Sequence, residues 1–452
     1  MPEPAAASPA SPTASRDAGL IRGVGPVALT AAFVGMLVGS GIFTVPAAMA
    51  AAVGSYAPLA YVACGLAVGA VMLCFAEGAS RVPTSGGVSG FVGIAFGPYW
   101  GFLTGMFNYA SAVLASGAIA AAAADVIGTA LPALATGPIR AIAITIWFFG
   151  LALINIAGVG IAARFVTIAT SIKIVPLALF IAIGVWFIVP AQLALAMPAG
   201  GADIGRAAIL GIFLFTGIEA SLAVSGEVRN PARTIPHAII ASMLGYAVMC
   251  VIVQLIAQGL LGDALGASPA PLAEAAARLS PLLGIILGAG AAISMLGWNA
   301  SDSLSSPRML FAMSRDGILP TALGRTHRRT HAPWIASLVH AAIAATIAVS
   351  GTFTSLAILA TLFCVLIYFL GSAAALKLRR DNIAHAGPPV RIPALLPVAL
   401  AGNAAMLWVA FQSTAPEAIG IALFIAAASL LYWARRSAPL PSSREGSGVG
   451  DS

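Results

Sequence analysis

Two short stretches carry the residue types best suited to chemistry. Gly39-Ser40-Gly41-Ile42-Phe43 and Phe215-Thr216-Gly217-Ile218-Glu219 each set glycine beside a hydroxyl inside a long apolar run. Glycine is about 1 kcal/mol worse than alanine in a helix interior, and bilayer hydrocarbon offers a frayed backbone no hydrogen bonds. Such breaks persist where they line a protein cavity. There the loosened backbone presents N–H and C=O groups that can bind a small polar solute. A half-helix N-terminus favours an anionic group such as a carboxylate.

Glu219 is the sharpest single residue. It lies nine residues from the inner end of its apolar run, about 13 Å deep at the helical rise per residue. An unpaired carboxylate at that depth costs roughly 3 kcal/mol, so it must be paired, hydrogen-bonded or protonated. That suits a group that carries a proton or senses substrate charge, with a structural ion pair as the plain alternative. Lys173 sits at similar depth, nine residues beyond Arg164. Its ammonium can titrate, stand where a metal cation would sit, or snorkel to the surface. Phe213, just before the second break, is a candidate aromatic gate. Trp298, Asn299, Ser301, Asn108 and Tyr109 are further pathway candidates for which packing is the simpler account. Glu77 and Arg81 read as interface charges or loop anchors. Gly35 and Gly39 also form a GxxxG pattern, which permits close helix packing with no solute. The matching second break, with its acid, favours a site.

The elements that must position these residues are membrane spans. Hydrophobic residues make up 60% of the 452 and charged residues 8%, against about 25% charged in a soluble domain. Mean hydropathy is +0.99. Apolar runs near the spanning length of about 20 residues fall close to 25–53, 58–79, 98–124, 140–158, 164–188, 206–228, 236–260, 282–303, 333–349, 355–376, 393–412 and 417–433. The expected fold class is therefore an all-α membrane protein with twelve transmembrane helices. Cys64, Cys74, Cys250 and Cys364 all fall inside apolar segments and read as small packing residues.

Of the 22 lysines and arginines, 18 flank faces that are cytoplasmic if the N-terminus is inside. Arg140, Arg206 and Arg278 fall outside, and Lys173 falls within a span. This bias predicts both termini in the cytoplasm of a multi-pass cell (inner) membrane protein. Residues 1–22 read as a disordered cytoplasmic segment without a cleavable signal pattern, and 434–452 as a cytoplasmic tail. The transporter domain is expected over 23–433. Breaks in spans one and six, which run in opposite directions, predict two five-helix units of inverted topology. These cover about 23–188 and about 206–376, with two extra helices over 393–433.

At these residues the chain resembles the amino acid–polyamine–organocation (APC) superfamily of permeases. The likeness is carried by GMLVGSGIFTVPAAMA from Gly35, EGASRVPTSGGVSGFVGIAFGPYWGFLTG from Glu77, FTGIEASLAVSGEVRNPARTIPHAI from Phe215 and SSPRMLFAMSRDGILP from Ser305. The resemblance implies a leucine-transporter-type 5+5 inverted repeat with alternating access. It implies that backbone around Ser40, Gly41 and Ile42, and around Gly217 and Ile218, holds the carboxylate and amino groups of an amino acid. Glu219 is similar to the sixth-helix acid of proton-linked arginine/agmatine-type exchangers, and Phe213 to an aromatic gate there. Lys173 is similar to a fifth-helix lysine that replaces sodium in sodium-independent members. Arg229-Asn230-Pro231 and Arg308 to Gly317 resemble family cytoplasmic loops. One departure stands out: Trp298 lies about one turn from the expected place of the exchangers' substrate-stacking tryptophan. Neutral amino acids therefore stay among the candidates beside polyamines and cationic amines.

The implied function is secondary active transport of an amino acid or related amine, with protons as a candidate coupling partner and the lipid bilayer as solvent. No cofactor, metal site or enzymatic activity is expected. The dispersed basic residues give no nucleic-acid surface. A major-facilitator carrier would carry a long central loop and a DRxGRR-like motif after span two, where this chain has Ala79-Ser80-Arg81-Val82-Pro83. An intramembrane enzyme would carry HExxH or paired aspartates. His327 and His331 have an i, i+4 spacing but sit in a basic loop without acidic partners. A channel is disfavoured by paired breaks around one midplane site.

Overall fold

The computed structural model describes residues 24–84, 86–157, 174–195, 203–222, 225, 228–385 and 387–436. Within them the chain is helical, with one isolated backbone bridge, Val24 to Val228, and no strand. The first apolar run forms two helices, α1 (Pro26–Leu37) and α2 (Gly41–Val53), parted at residues 38–40. Gly54, at φ 58°, turns the chain into α3 (Ala57–Arg81). Then follow α4 (Gly87–Phe96), α5 (Pro98–Ala130), α6 (Gly137–Ala157) and α7 (Ile174–Phe187). The sixth apolar run is also split, into α8 (Ile204–Leu214) and the single turn α9 (Ile218–Ser221). The remainder is α10 (Pro231–Leu261), α11 (Pro271–Leu279), α12 (Pro281–Arg315), α13 (Trp334–Ser350), α14 (Phe353–Arg380), α15 (Leu395–Ala410) and α16 (Ala415–Arg436).

Among the described residues, eight helical runs are long and apolar enough to cross a membrane, and five shorter apolar helices accompany them. Large apolar side chains such as Leu66, Leu244 and Ile285 point outward, a surface that lipid covers and water would not. Prolines open α1, α5, α10, α11 and α12. At the first helical position the missing N–H costs nothing.

Helix packing sorts the elements into two groups. The helices α1, α2, α3, α8, α9 and α10 pack together, and α5, α6, α12 and α13 form the other group. Between them α14 packs on both α3 and α5. Within the first group α1 touches α9 while α2 touches α8. First half meets second half in each case, so the two broken helices lie antiparallel, side by side.

Two expectations about span ends need correction. Of the stretch from Arg308 to Gly317, expected as cytoplasmic loop, residues up to Arg315 continue α12 as helix. Ser301 and Ser305 turn their hydroxyls back to the carbonyls of Gly297 and Ser301, so these polar residues do not break it. The connection after α3 also contains a helix of its own, α4. Of the two readings of Glu77 and Arg81, loop anchoring holds and interface charge does not: both are buried, and Arg81 Nη1 donates to Ile383 O at 3.3 Å. Glu77 pairs with Arg81 at 2.8 Å and with Arg379 at 3.1 Å, and accepts from Ile392 N at 2.9 Å. This ties α3 to α14 and to the segment leading into α15.

Candidate functional site

The first break leaves a bare helix start. Ser40 O receives the N–H groups of Phe43 and Thr44 at 2.9 and 3.1 Å and the Thr44 hydroxyl at 3.0 Å. The earlier N–H groups of α2 have no intrahelical partner, as at any helix N-terminus, and no side chain caps them. Ser40 Oγ is buried without a hydrogen-bond partner among the described residues. Behind the break, Trp298 Nε1 donates to Met36 O at 3.2 Å, and its ring lies over Gly39. A Cβ at Gly39 would come 3.1 Å from the indole Cδ1.

The second break is satisfied from within. Thr216 Oγ1 donates to Phe213 O at 2.8 Å. Gly217 sits at φ 120°, a conformation that side chains rarely adopt. Its N–H donates to Glu219 Oε1 at 2.9 Å. Glu219 is 4% exposed and also accepts from Cys364 Sγ at 3.3 Å and Tyr368 Oη at 3.4 Å, both on α14. No Lys, Arg or His among the described residues pairs with it, whereas Lys173 lies outside the described residues. The expectation that Cys364 merely packs is thus corrected: it is bonded to the acid and contacts Ser111 Oγ at 3.0 Å.

The two breaks face each other. A Cβ at Gly217 would sit 3.5 Å from Met36 Cβ, and one at Gly41 would sit 3.1 Å from Leu214 Cδ2. Both breaks line a cavity of about 1790 Å³. Ser40, Gly41, Phe213, Gly217 and Glu219 line it, whereas Ile42 and Ile218, also expected at the site, are buried in the core and do not line it. Arg308, Arg315, His385 and Arg435 line it too, and the first two follow Trp298 on α12 by ten and seventeen residues, about 15 and about 25 Å along the helix. Phe213 packs edge-on against Phe353, ring centroids 5.8 Å apart.

Of the weaker candidates, Asn108, Trp298 and Ser301 line the cavity. Asn299 instead accepts from Ser116, and Tyr109 packs edge-on against His340. Sequence reasoning missed Asp302, which lines the cavity, and its neighbour His340. A signal was present in both: an ionisable residue inside an apolar run. His327 and His331 lie in a loop, where His327 Nδ1 contacts Thr330 Oγ1 at 3.1 Å.

A many-helix membrane fold with two facing helix breaks around one cavity defines a transporter-like class. The chain belongs to the amino acid permease family, which it matches over residues 24–434, and so to the APC superfamily. It is 26% identical to the methylthioribose transporter of Bacillus subtilis (strain 168), with 93% of this chain and 94% of the relative covered. It is 28% identical to the branched-chain amino acid permease BcaP of the same organism, over 81% and 83% of the two chains. It is 32% identical to the uncharacterized transporter Rv1999c of Mycobacterium tuberculosis (strain ATCC 25618 / H37Rv), over 77% and 78%.

Proposed function

We propose that this APC-type transporter is a secondary active, alternating-access carrier of amino acids or related amines. Its transporter domain, about 23–433, is read as twelve spans. Two inverted five-helix units cover about 23–188 and 206–376, two further helices follow over 393–433, and both termini are cytoplasmic. The observation that carries the reading is the antiparallel meeting of two helix breaks on the wall of one cavity. On the proposed orientation the arginine-lined end faces the cytoplasm, and Phe213 against Phe353 closes the opposite side.

In this reading the uncapped start of α2 at Ser40, Gly41 and Ile42 receives the substrate carboxylate. Backbone around Gly217 and Ile218 supports the amino group. Glu219 is the coupling group: as a carboxylate it occupies Gly217 N–H, and a proton on it weakens that bond and loosens the second break. Lys173 stands where sodium would bind in a sodium-coupled carrier, which makes transport sodium-independent. The helices α1, α2, α3, α8, α9 and α10 rock against α5, α6, α12 and α13 to change the open side. Cationic amine exchange is a second reading, supported by two carboxylates, Glu219 and Asp302, on the cavity wall.

Uptake into proteoliposomes of labelled amino acids, polyamines and methylthioribose decides among these, with and without a pH gradient and sodium. Acid-driven, sodium-independent accumulation of an amino acid is expected. Accumulation that requires sodium would remove the role given to Lys173, and absence of uptake of any of these compounds would sink the carrier reading.

A further inference from the structure

Between α5, α6, α12 and α13 lies a buried polar cluster to which the carrier reading gives no part in proton movement. Asp302 on α12 and His340 on α13 are 3% and 1% exposed. His340 Nε2 lies 3.2 Å from Asp302 Oδ2, within ion-pair distance, yet angled so that neither atom makes a hydrogen bond. Asp302 Oδ1 accepts from Ser306 Oγ. His340 Nδ1 and the Tyr109 hydroxyl also have no hydrogen-bond partner among the described residues. Unsatisfied polar groups are rare in a folded interior because each carries its full desolvation cost. Several gathered around one point indicate a site that binds something small.

We propose that Asp302 and His340 form a second proton-binding site, separate from Glu219, which exchanges its proton with the cavity during transport. The proposal rests on the carrier reading for its purpose but not for its chemistry. A carboxylate and an imidazole at this distance share one proton in their net-neutral state, the form a low-dielectric interior tolerates best. A proton arriving from cavity water makes the pair cationic, and its return to cavity water restores neutrality. Asp302 and Ser306 line the cavity while His340 lies behind them, so Asp302 is the way in.

The surroundings present little competing charge. From α5 Tyr109 faces the pair, its ring centroid 5.9 Å from that of His340. From α6 comes the neutral Asn155, whose amide donates to Ser303 O at 2.8 Å and to Ser337 Oγ at 3.3 Å. Among the described residues Asp302 has no Lys or Arg partner; Lys173 lies outside them. The pair is also well placed to act on the first break. Asp302 follows Trp298 by four residues and shares its helix face, and Trp298 is the side chain that holds Met36 O beside Gly39. A change of charge at Asp302 therefore acts one helical turn from the contact that steadies the break.

The test uses the full-length protein in lipid nanodiscs and a substrate-free readout. Infrared difference spectra between about pH 5 and about pH 8, where an unperturbed imidazole changes charge, are recorded in a Glu219→Gln background, which removes the acid of the second break, and are expected to contain a carboxylic-acid band. It should vanish in Asp302→Asn and move in His340→Gln. Ser306→Ala, which leaves both members in place, should move it as well and serves if Asp302→Asn fails to fold. In proteoliposomes supplied with a uniformly labelled amino-acid mixture, the ratio of acid-driven to undriven uptake should fall about tenfold in Asp302→Asn and His340→Gln, within the usual range of coupling between sites. Unchanged infrared spectra in the variants, or ratios equal to that of the unaltered protein, would overturn the proposal. Unaltered protein that carries none of the mixture refutes the amino-acid reading instead, and the infrared result still judges the pair.

Discussion

The two helix breaks look alike in sequence and differ in how their polar groups are met. At the first, α2 starts without a side-chain cap and Ser40 Oγ has no partner among the described residues. At the second, Gly217 N–H is taken by Glu219, and Thr216 closes back on Phe213 O. Under the carrier reading one break leaves its N–H donors open to an anion, and the other supplies its own carboxylate. The contrast assigns them different tasks under the carrier reading. The first waits for substrate, whereas the second must give up an internal bond before its backbone is free. A buried N–H left unpaired costs about 1–3 kcal/mol, so the internal bond holds the empty site together until substrate or a proton replaces it.

The comparison is broken most severely at Gly217. Valine there must adopt φ 120° with a β-branched side chain against Met36, at a strain of about 1–3 kcal/mol. Uptake should fall about a hundredfold, since small displacements of a binding backbone are that costly. Thermal unfolding measured alongside should drop only by the strain; a protein that transports normally would show that the second break is not part of the site.

Glu219→Gln sharpens the comparison. The amide keeps a carbonyl for Gly217 N–H but cannot gain or lose a proton. The pH response of uptake should shrink about tenfold, with the break held near its resting state at every pH. Lowering the pH protonates the native acid and weakens its hold on Gly217 N–H, so native uptake should rise as pH falls through the titration of this group, and the variant should lose that rise. A pH profile identical to the native one would dismiss Glu219 as the coupling group.

The smallest effect is expected at the open break. Ser40→Ala removes a hydroxyl that has no hydrogen-bond partner among the described residues, so stability should move by no more than about 0.5 kcal/mol. Substrate affinity, read by calorimetry, should weaken about fivefold if that hydroxyl bonds the carboxylate. Unaltered affinity would leave the backbone alone as the anion site.

Much of this was legible beforehand because its causes are local or one-dimensional. Gly39, Gly41 and Gly217 weaken helices wherever they occur, and a bilayer makes such weakness costly, so both breaks could be read from residue type and depth. Glu219 stood out for the same reason. The roles of Cys364 and Tyr368 were not legible, since they lie far along the chain and reach Glu219 only through the packing of α14. Trp298 was judged by its offset from a loop, yet its partner is Met36 O, a choice made by the rotation of α12 against α1. Asp302 and His340 were passed over because each alone is a single polar residue in an apolar run. Their proximity exists only once α12 and α13 pack.

By itself the amino-acid order determined that the chain lives in a bilayer, where its helices lose continuity, and which acid is sunk beside the second gap. These follow from hydrophobicity and backbone propensity, which act residue by residue. Tertiary structure alone decided that the two gaps meet beside one cavity, that Glu219 accepts from Gly217 N–H at its own helix start, and that Asp302 meets His340. Those outcomes depend on how helices rotate and register against one another, and that is set by the simultaneous packing of many side chains.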